Sequence, residues 1–248
     1  MELEKLLDCS TNIGYLLLSN GAEVYRVEQS IEYICKAYKV EEVNAFALLG
    51  NLIVTIEKDG KSVTKSKRIN NISTDLDNVE QLIDLSRYIS KNSPDYEEIN
   101  KRILKITNSP KYSTAIYYIG SAVIAAPSFV IFFGGTFKEA FLTIPIAIII
   151  TFLKKFLNKA EISGLFVNIV SGLFLILGTN LIEYFFTGIN TSNIILGALM
   201  LLVPGLALAN AMRDMIMSDT ISGLSRLIDA LLTAVGIAIG LGIGMYFI

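Results

Sequence analysis

The chain has 248 residues, 52% of them hydrophobic, with a formal net charge of −2. That length suits two structural units, and the near-neutral charge argues against a nucleic-acid surface, which needs a basic excess. There is no histidine, which removes the commonest general base and metal ligand and excludes a Ser-His-Asp triad or a zinc site, so neither metal nor cofactor is expected.

Charge divides the chain sharply. Residues 1–111 hold 15 of the 21 Lys and Arg and 17 of the 23 Asp and Glu. The other 137 residues carry six of each sign. A charged side chain at mid-bilayer costs about 2.5–3.5 kcal/mol on insertion scales, so depletion of this kind suits lipid. Met1–Lys5 is polar and acidic, and the apolar stretch after it is broken by Asp8, Asn12 and Asn20, so it is not a signal peptide.

In chain order, Leu6–Ser19 reads as an amphipathic helix stopped by Asn20-Gly21, and Ala22–Tyr38 as a second. Val43–Leu49, Leu52–Lys58 and Ser62–Ile69 are β-branched runs, and Asp59-Gly60 between the last two is a hairpin signal. Helices follow over Leu76–Ser90 and Asp95–Thr107, the second opened by Ser93-Pro94. Cys9 and Cys35 fall in the helices and read as small buried apolar side chains. Residues 1–109 are thus expected to form a soluble α+β domain of order αα-βββ-αα.

Residues 110–248 read as a membrane α-helical bundle. A span needs about 20 apolar residues. Tyr112–Phe137, Ile162–Ile182, Tyr184–Met212 and Ala230–Ile248 carry no charge. Ala140–Leu153 is shorter and spans if Lys154 and Lys155 snorkel. With the Lys-rich domain in the cytoplasm, five spans put Lys154, Lys155, Lys159, Arg213 and Arg226 inside and only Lys138 outside. The expectation is therefore five transmembrane helices, near 112–134, 137–155, 162–184, 190–211 and 225–247, with a cytoplasmic N-terminus and an outside C-terminus. An odd number of spans, with no internal repeat, suggests half of a transporter whose other half lies on a second chain.

Two stretches concentrate chemistry. Pro204-Gly205 interrupts a long apolar run, and such a break frees backbone groups inside a membrane helix. Beyond it lie Asn210, Arg213, Asp214, Asp219, Ser222, Gly223, Arg226 and Asp229. One reading is an ordinary loop with a structural kink and Ser218-Asp219 capping the last helix. The other is a polar vestibule, in which Arg213 and Arg226 attract a substrate carboxylate and the aspartates balance charge or handle protons. The second stretch is Asn20-Gly-Ala-Glu-Val-Tyr-Arg-Val-Glu28, containing Gly21, Glu23, Arg26 and Glu28. It reads either as Asn20 and Glu23 forming a capping box with Glu23 pairing Arg26, or as a polar cluster for catalysis or ligand sensing. Gly236, Gly240 and Gly244 share a helix face that permits close packing, including against a partner. Pro127 and Pro145 are expected to kink their helices.

These stretches resemble the threonine/serine exporter family. Ser19–Glu28 looks like its opening signature. Val203–Asp214, with Ser218–Gly223 and Arg226, looks like the signature closing its first membrane half. The resemblance covers nearly the whole chain. It implies an inner-membrane, multi-pass secondary exporter of a small carboxylate metabolite, driven by protons. In the family's single-chain form, associated with threonine and serine, there are about ten spans. In the split form, linked to dicarboxylates such as succinate, a larger subunit like this chain works with a second, smaller membrane subunit; a homo-oligomer is also open. The family's N-terminal domain is sometimes described as hydrolase-like, but no nucleophile–base pair stands out here. A membrane-anchored hydrolase or a ligand-sensing protein remains the alternative.

Overall fold

The computed structural model describes residues 1–109, 114–160 and 162–246. The chain separates into two compact units, and each is built around its own core. Unit 1 comprises Met1–Pro110 with Ala209–Arg226, and unit 2 comprises Lys111–Leu208 with Leu227–Ile248.

Unit 1 opens with α1 (Leu3–Ser19) and α2 (Val24–Ala37), continues through β1 (Glu42–Leu48), β2 (Asn51–Lys58) and β3 (Lys61–Arg68), and returns to helix in α3 (Leu76–Asn92) and α4 (Tyr96–Thr107). The strands form an antiparallel meander with β2 in the centre. Asp59 and Gly60 both take positive φ, as the predicted two-residue turn demands. Alternation along β2 sends Leu52, Val54 and Ile56 into a core with Leu6, Ile13, Leu17, Ile31 and Ile34. The edge strand β3 carries Lys61, Lys65, Lys67 and Arg68, charges that discourage edge-to-edge pairing. Lys65 pairs with Asp8, and Lys67 donates to Asn12 at 2.8 Å while lying over the Tyr15 ring. Cys9 and Cys35 are free and buried, and burial pushes their thiols up to about 12 and about 11.

Two local expectations need correction. Asn20 ends α1 and does not open α2: Ala22 N–H returns to Leu17 C=O and Gly21 N–H to Leu18 C=O, a Schellman closure with Gly21 at φ +88°. A Cβ on Gly21 would stand 3.0 Å from Ser73 O. The expected Asn20–Glu23 capping box therefore does not form, and Glu23 occupies the α2 N-cap position without a side-chain cap bond. Pro94 lies two residues before α4 (Tyr96–Thr107), which is capped by Asp95 accepting from Glu98 N–H at 2.8 Å.

Unit 2 is helical. Its first long helix runs as α5 (Thr114–Tyr118), a π-helical stretch (Ile119–Ala125) and α6 (Ala126–Phe132). Pro127 explains the widening. It has no N–H, and its ring crowds the carbonyl four residues back, so Ala126 N–H bonds to Ser121 C=O, five residues back. Next come α7 (Phe137–Lys159), containing Pro145, and α8 (Gly164–Phe185). Thr136 and Glu139 form a capping box at the start of α7. The buried Glu139 carboxylate also accepts from Asn190 N–H at 2.8 Å and Asn193 Nδ2 at 3.1 Å, tying α7 to the residues that follow α8.

The expected span over 190–211 is not one helix. It is α9 (Thr191–Leu199) and the start of α10 (Gly205–Ile216), interrupted at Met200–Pro204. Among the described residues, four helices are long and apolar enough to cross a membrane: Ala115–Phe132, Phe137–Lys159, Gly164–Phe185 and α11 (Thr220–Tyr246). The expected ends at Tyr112 and Phe247 lie outside the described residues. The glycine face of α11 packs within the chain, on α8. A Cβ on Gly240 would meet Ile169 O at 2.1 Å, and one on Gly244 would meet Ile176 at 2.9 Å. Both α10 and α11 contribute residues to each unit.

Candidate functional site

Unit 1 brings the two polar stretches into contact. The short connection between α1 and α2 exposes backbone groups that no local side chain caps. The C-terminal half of α10 and the first two turns of α11 supply their partners. Asp214 is fully buried. One of its oxygens accepts from Val24 N–H at 3.3 Å, so it acts as the missing cap of α2, whose N-terminal dipole favours a negative charge. Its other oxygen accepts from Arg226 Nε at 2.9 Å. Arg226 is 7% exposed and donates through a terminal nitrogen to Ala22 C=O at 2.7 Å. Asn210 Nδ2 donates to Gly21 C=O at 3.3 Å.

Glu23 forms a second ion-pair centre. One carboxylate oxygen binds the half-exposed Arg213, and the other accepts from Arg26 Nε at 2.9 Å. Arg26 also donates to the Tyr25 hydroxyl at 2.9 Å. The Glu23–Arg26 pair foreseen from spacing is therefore present. Both arginines proposed as anion attractors already hold carboxylates of the chain.

Close packing sets this geometry. A Cβ on Gly223 would lie 2.8 Å from Ala211 O and 3.0 Å from Met215 N, so glycine lets α11 lie against α10. α10 ends in a turn with Ser218 at φ +74°, where Asp219 N–H returns to Asp214 C=O at 2.8 Å. Asp219 stands directly before α11, and its carbonyl accepts Gly223 N–H at 2.9 Å. Ser222 is buried, and its hydroxyl has no hydrogen-bond partner among the described residues.

Burial pushes the Asp214 carboxyl up, against the pull of Arg226 and of Val24 N–H. Burial also raises Asp219, and the Asp214 charge adds to the rise. Glu28 sits elsewhere, accepting from Ala47 N–H on β1 at 2.9 Å; burial raises its carboxyl, and the charge on Asp219 contributes. Asp229 is exposed on α11 and belongs to unit 2. Pro204 and Gly205 also belong to unit 2, at the break before α10. The cluster thus gathers Gly21, Glu23, Arg26, Asn210, Arg213, Asp214 and Arg226 but neither Asp229 nor the proline break.

The sequence singled out no role for Ala22 or Val24, because their contribution is a backbone carbonyl and a backbone N–H. Among the described residues no group of three acidic or thiol side chains is arranged to hold a metal ion. A groove of about 380 Å³ between α2 and α3 adjoins this centre, sharing Tyr25 and Arg26 with it and lined also by Gln29, Tyr33 and Arg87.

A family model described as "Putative threonine/serine exporter" matches residues 8–248. The chain is 22% identical to a "Probable threonine/serine exporter" of Mycobacterium tuberculosis, over 99% of this chain and 46% of that protein. It is also 22% identical to the "Threonine/serine exporter" of Corynebacterium glutamicum, over 97% of this chain and 50% of that protein. The chain spans about half the length of these curated relatives, which are named exporters and not enzymes. No solved structure matches it with significance.

Proposed function

Because the chain belongs to the threonine/serine exporter family, we propose that it is the larger subunit of a proton-coupled secondary exporter of a small carboxylate metabolite. The candidate cargoes are threonine, serine or a dicarboxylate such as succinate. The observation that carries this reading is the ion-pair cluster closing residues 210–226 onto the α1–α2 connection. Two carboxylates hold three arginines: Glu23 pairs with Arg26 and Arg213, and Asp214 pairs with Arg226. Burial favours proton uptake by Asp214, and that uptake weakens its hold on Arg226. An equilibrium between paired and released arginines gives protons a means of biasing the conformation of α10 and α11.

The same reading puts the chain in the inner membrane with five passes. Unit 1 faces the cytoplasm, and α9 with the start of α10 crosses as a broken fourth pass. The C-terminus then lies outside, and a reporter fused after Ile248 that reads as cytoplasmic overturns this topology. The other half of the relatives' length is assigned to a second, smaller membrane subunit.

The direct test is efflux from proteoliposomes, with and without that subunit, comparing threonine, serine and succinate under an imposed proton gradient. Gradient-driven efflux of one cargo that needs both subunits is expected. Failure to move any of the three, with both subunits inserted, refutes the reading. The groove between α2 and α3 supports a second reading, a ligand-sensing N-terminal domain. In that case R87A changes the response to a ligand without changing the maximal efflux rate.

A further inference from the structure

Three independent features of unit 2 converge around Lys154. The first is the charge itself. Lys154 lies in the last two turns of the candidate membrane helix α7 and is half-buried, whereas Lys155 and Lys159 are exposed. Its ammonium donates to Leu201 C=O at 3.4 Å, and no carboxylate among the described residues pairs with it. An ionisable side chain in a membrane segment is costly and ordinarily has a partner or a function. Among the described residues this one long bond engages one of its three N–H donors.

The second feature is the helix break. In a continuing helix, Gly205 N–H would reach Leu201 C=O. It turns instead to Val203 C=O at 2.9 Å. Pro204 has no N–H to offer Met200 C=O. The break therefore frees the Met200 and Leu201 carbonyls.

The third is the π-helical stretch, a distortion frequent at functional sites. Its Ser121 hydroxyl stands 3.4 Å from that of Thr151, which lies one turn before Lys154 on α7. Each hydroxyl also has a carbonyl of its own helix as acceptor, Tyr117 C=O at 2.8 Å and Ala147 C=O at 2.7 Å. Their oxygens therefore remain available as acceptors. Ala122, Ala126 and Ala147 form a small-residue floor there, against which Leu201 packs.

We propose that Lys154, beside the carbonyls freed at Met200 and Leu201, forms a membrane-embedded site for a small organic acid or amino acid, the lysine ammonium holding its carboxylate. The inference rests on the export reading for its ligand class. The ammonium takes the carboxylate. In a zwitterion, the α-ammonium finds the freed carbonyls and the hydroxyl oxygens of Ser121 and Thr151. A dicarboxylate engages the lysine alone, so the two cargo classes leave different signatures.

The test is differential amine acetylation of the full chain in its native membranes, read by mass spectrometry at each lysine. Threonine, serine and succinate are compared with threoninamide, which keeps the amine but lacks the carboxylate. Acetylation of Lys154 should slow about threefold or more at saturating carboxylate, with Lys155 unchanged and threoninamide without effect. Protection by threonine or serine alone identifies the zwitterion, and protection by succinate identifies the dicarboxylate. Absence of protection by all three, or equal protection by threoninamide, overturns the site.

Efflux by K154Q and K154R provides the second arm. Efflux should be lost in K154Q and partly kept in K154R, at equal membrane abundance. If wild type exports but Lys154 is unprotected and K154Q exports normally, the site falls and the export reading stands. If Lys154 is protected but wild type moves none of the cargoes, the export reading falls and the site stands.

Discussion

Replacing Arg226 by alanine should unfold unit 1 selectively. Arg226 and Asp214 have side-chain exposures of 8% and 0%, so little solvent screens the pair. R226A leaves a buried carboxylate facing Glu23 and removes the donor from Ala22 C=O. Stranding one member of a buried pair costs about 3–5 kcal/mol. For a unit of this size that corresponds to a fall of about 10 °C or more in the midpoint. The chain offers a built-in reporter: it has two cysteines, both in the unit 1 core. A dye that fluoresces on reaction with thiols therefore reports the unfolding of unit 1 and ignores unit 2. D214A should behave similarly, because it uncaps α2 and leaves Arg226 unpaired. The double variant should be only slightly worse than either single one, since both remove the same interaction. An R226A midpoint within about 2 °C of wild type, or strictly additive single effects, would refute the argument that this pair closes the cluster.

Four further outcomes follow from the geometry. G240V should sharply reduce the amount of folded protein extractable in mild detergent, because its side chain would enter the Ile169 backbone; wild-type recovery would contradict the α8–α11 packing. G21A should lower the dye-reported midpoint by more than about 1 kcal/mol equivalent, since alanine is strained at φ +88° and crowds Ser73 O. Lys65, through its hydrogen bond, holds the Asp8 carboxyl below its usual value. Its stabilisation is fully present above the unfolded pKa of about 4 and is lost as pH falls through the lower folded value. D8N should thus flatten the acid limb of a circular-dichroism stability curve by a few tenths of a kcal/mol, since both side chains are over a third exposed. Finally, Cys9 and Cys35 should resist a water-soluble disulfide reagent at pH 8 in the native chain, given their burial and raised thiols; rapid reaction of either would contradict the core described here.

Much of this architecture is written in short-range patterns. The positions of Ile13, Leu17, Ile31 and Ile34 follow helical spacing, and Asp59-Gly60 supplies the only two φ values its turn needs. Pro204-Gly205 marks the broken helix, although composition alone made 190–211 look like a single apolar span. Other features depend on contacts that periodicity does not encode. The π-helical stretch precedes Pro127 as a response to the ring, and proline can kink a helix in several ways. Asn20-x-x-Glu23 matches a local capping pattern, yet Gly21 closes α1 there and Glu23 turns to Arg213, 190 residues away. The resemblance pointed to both halves of the cluster. That Asp214 would cap α2 was not legible, because a cap supplied from so far along the chain leaves no local spacing to read.

That distant cap has a consequence for biosynthesis. Residues 1–110 emerge from the ribosome long before the segment 209–226 that completes their unit. At 5–20 residues per second, the interval is roughly 5–25 s. During it, α2 begins without its cap and the Ala22 carbonyl lacks Arg226, while the intervening hydrophobic helices are still being delivered to the membrane. The N-terminal unit can therefore be completed only after the helices between residues 110 and 209 have been made.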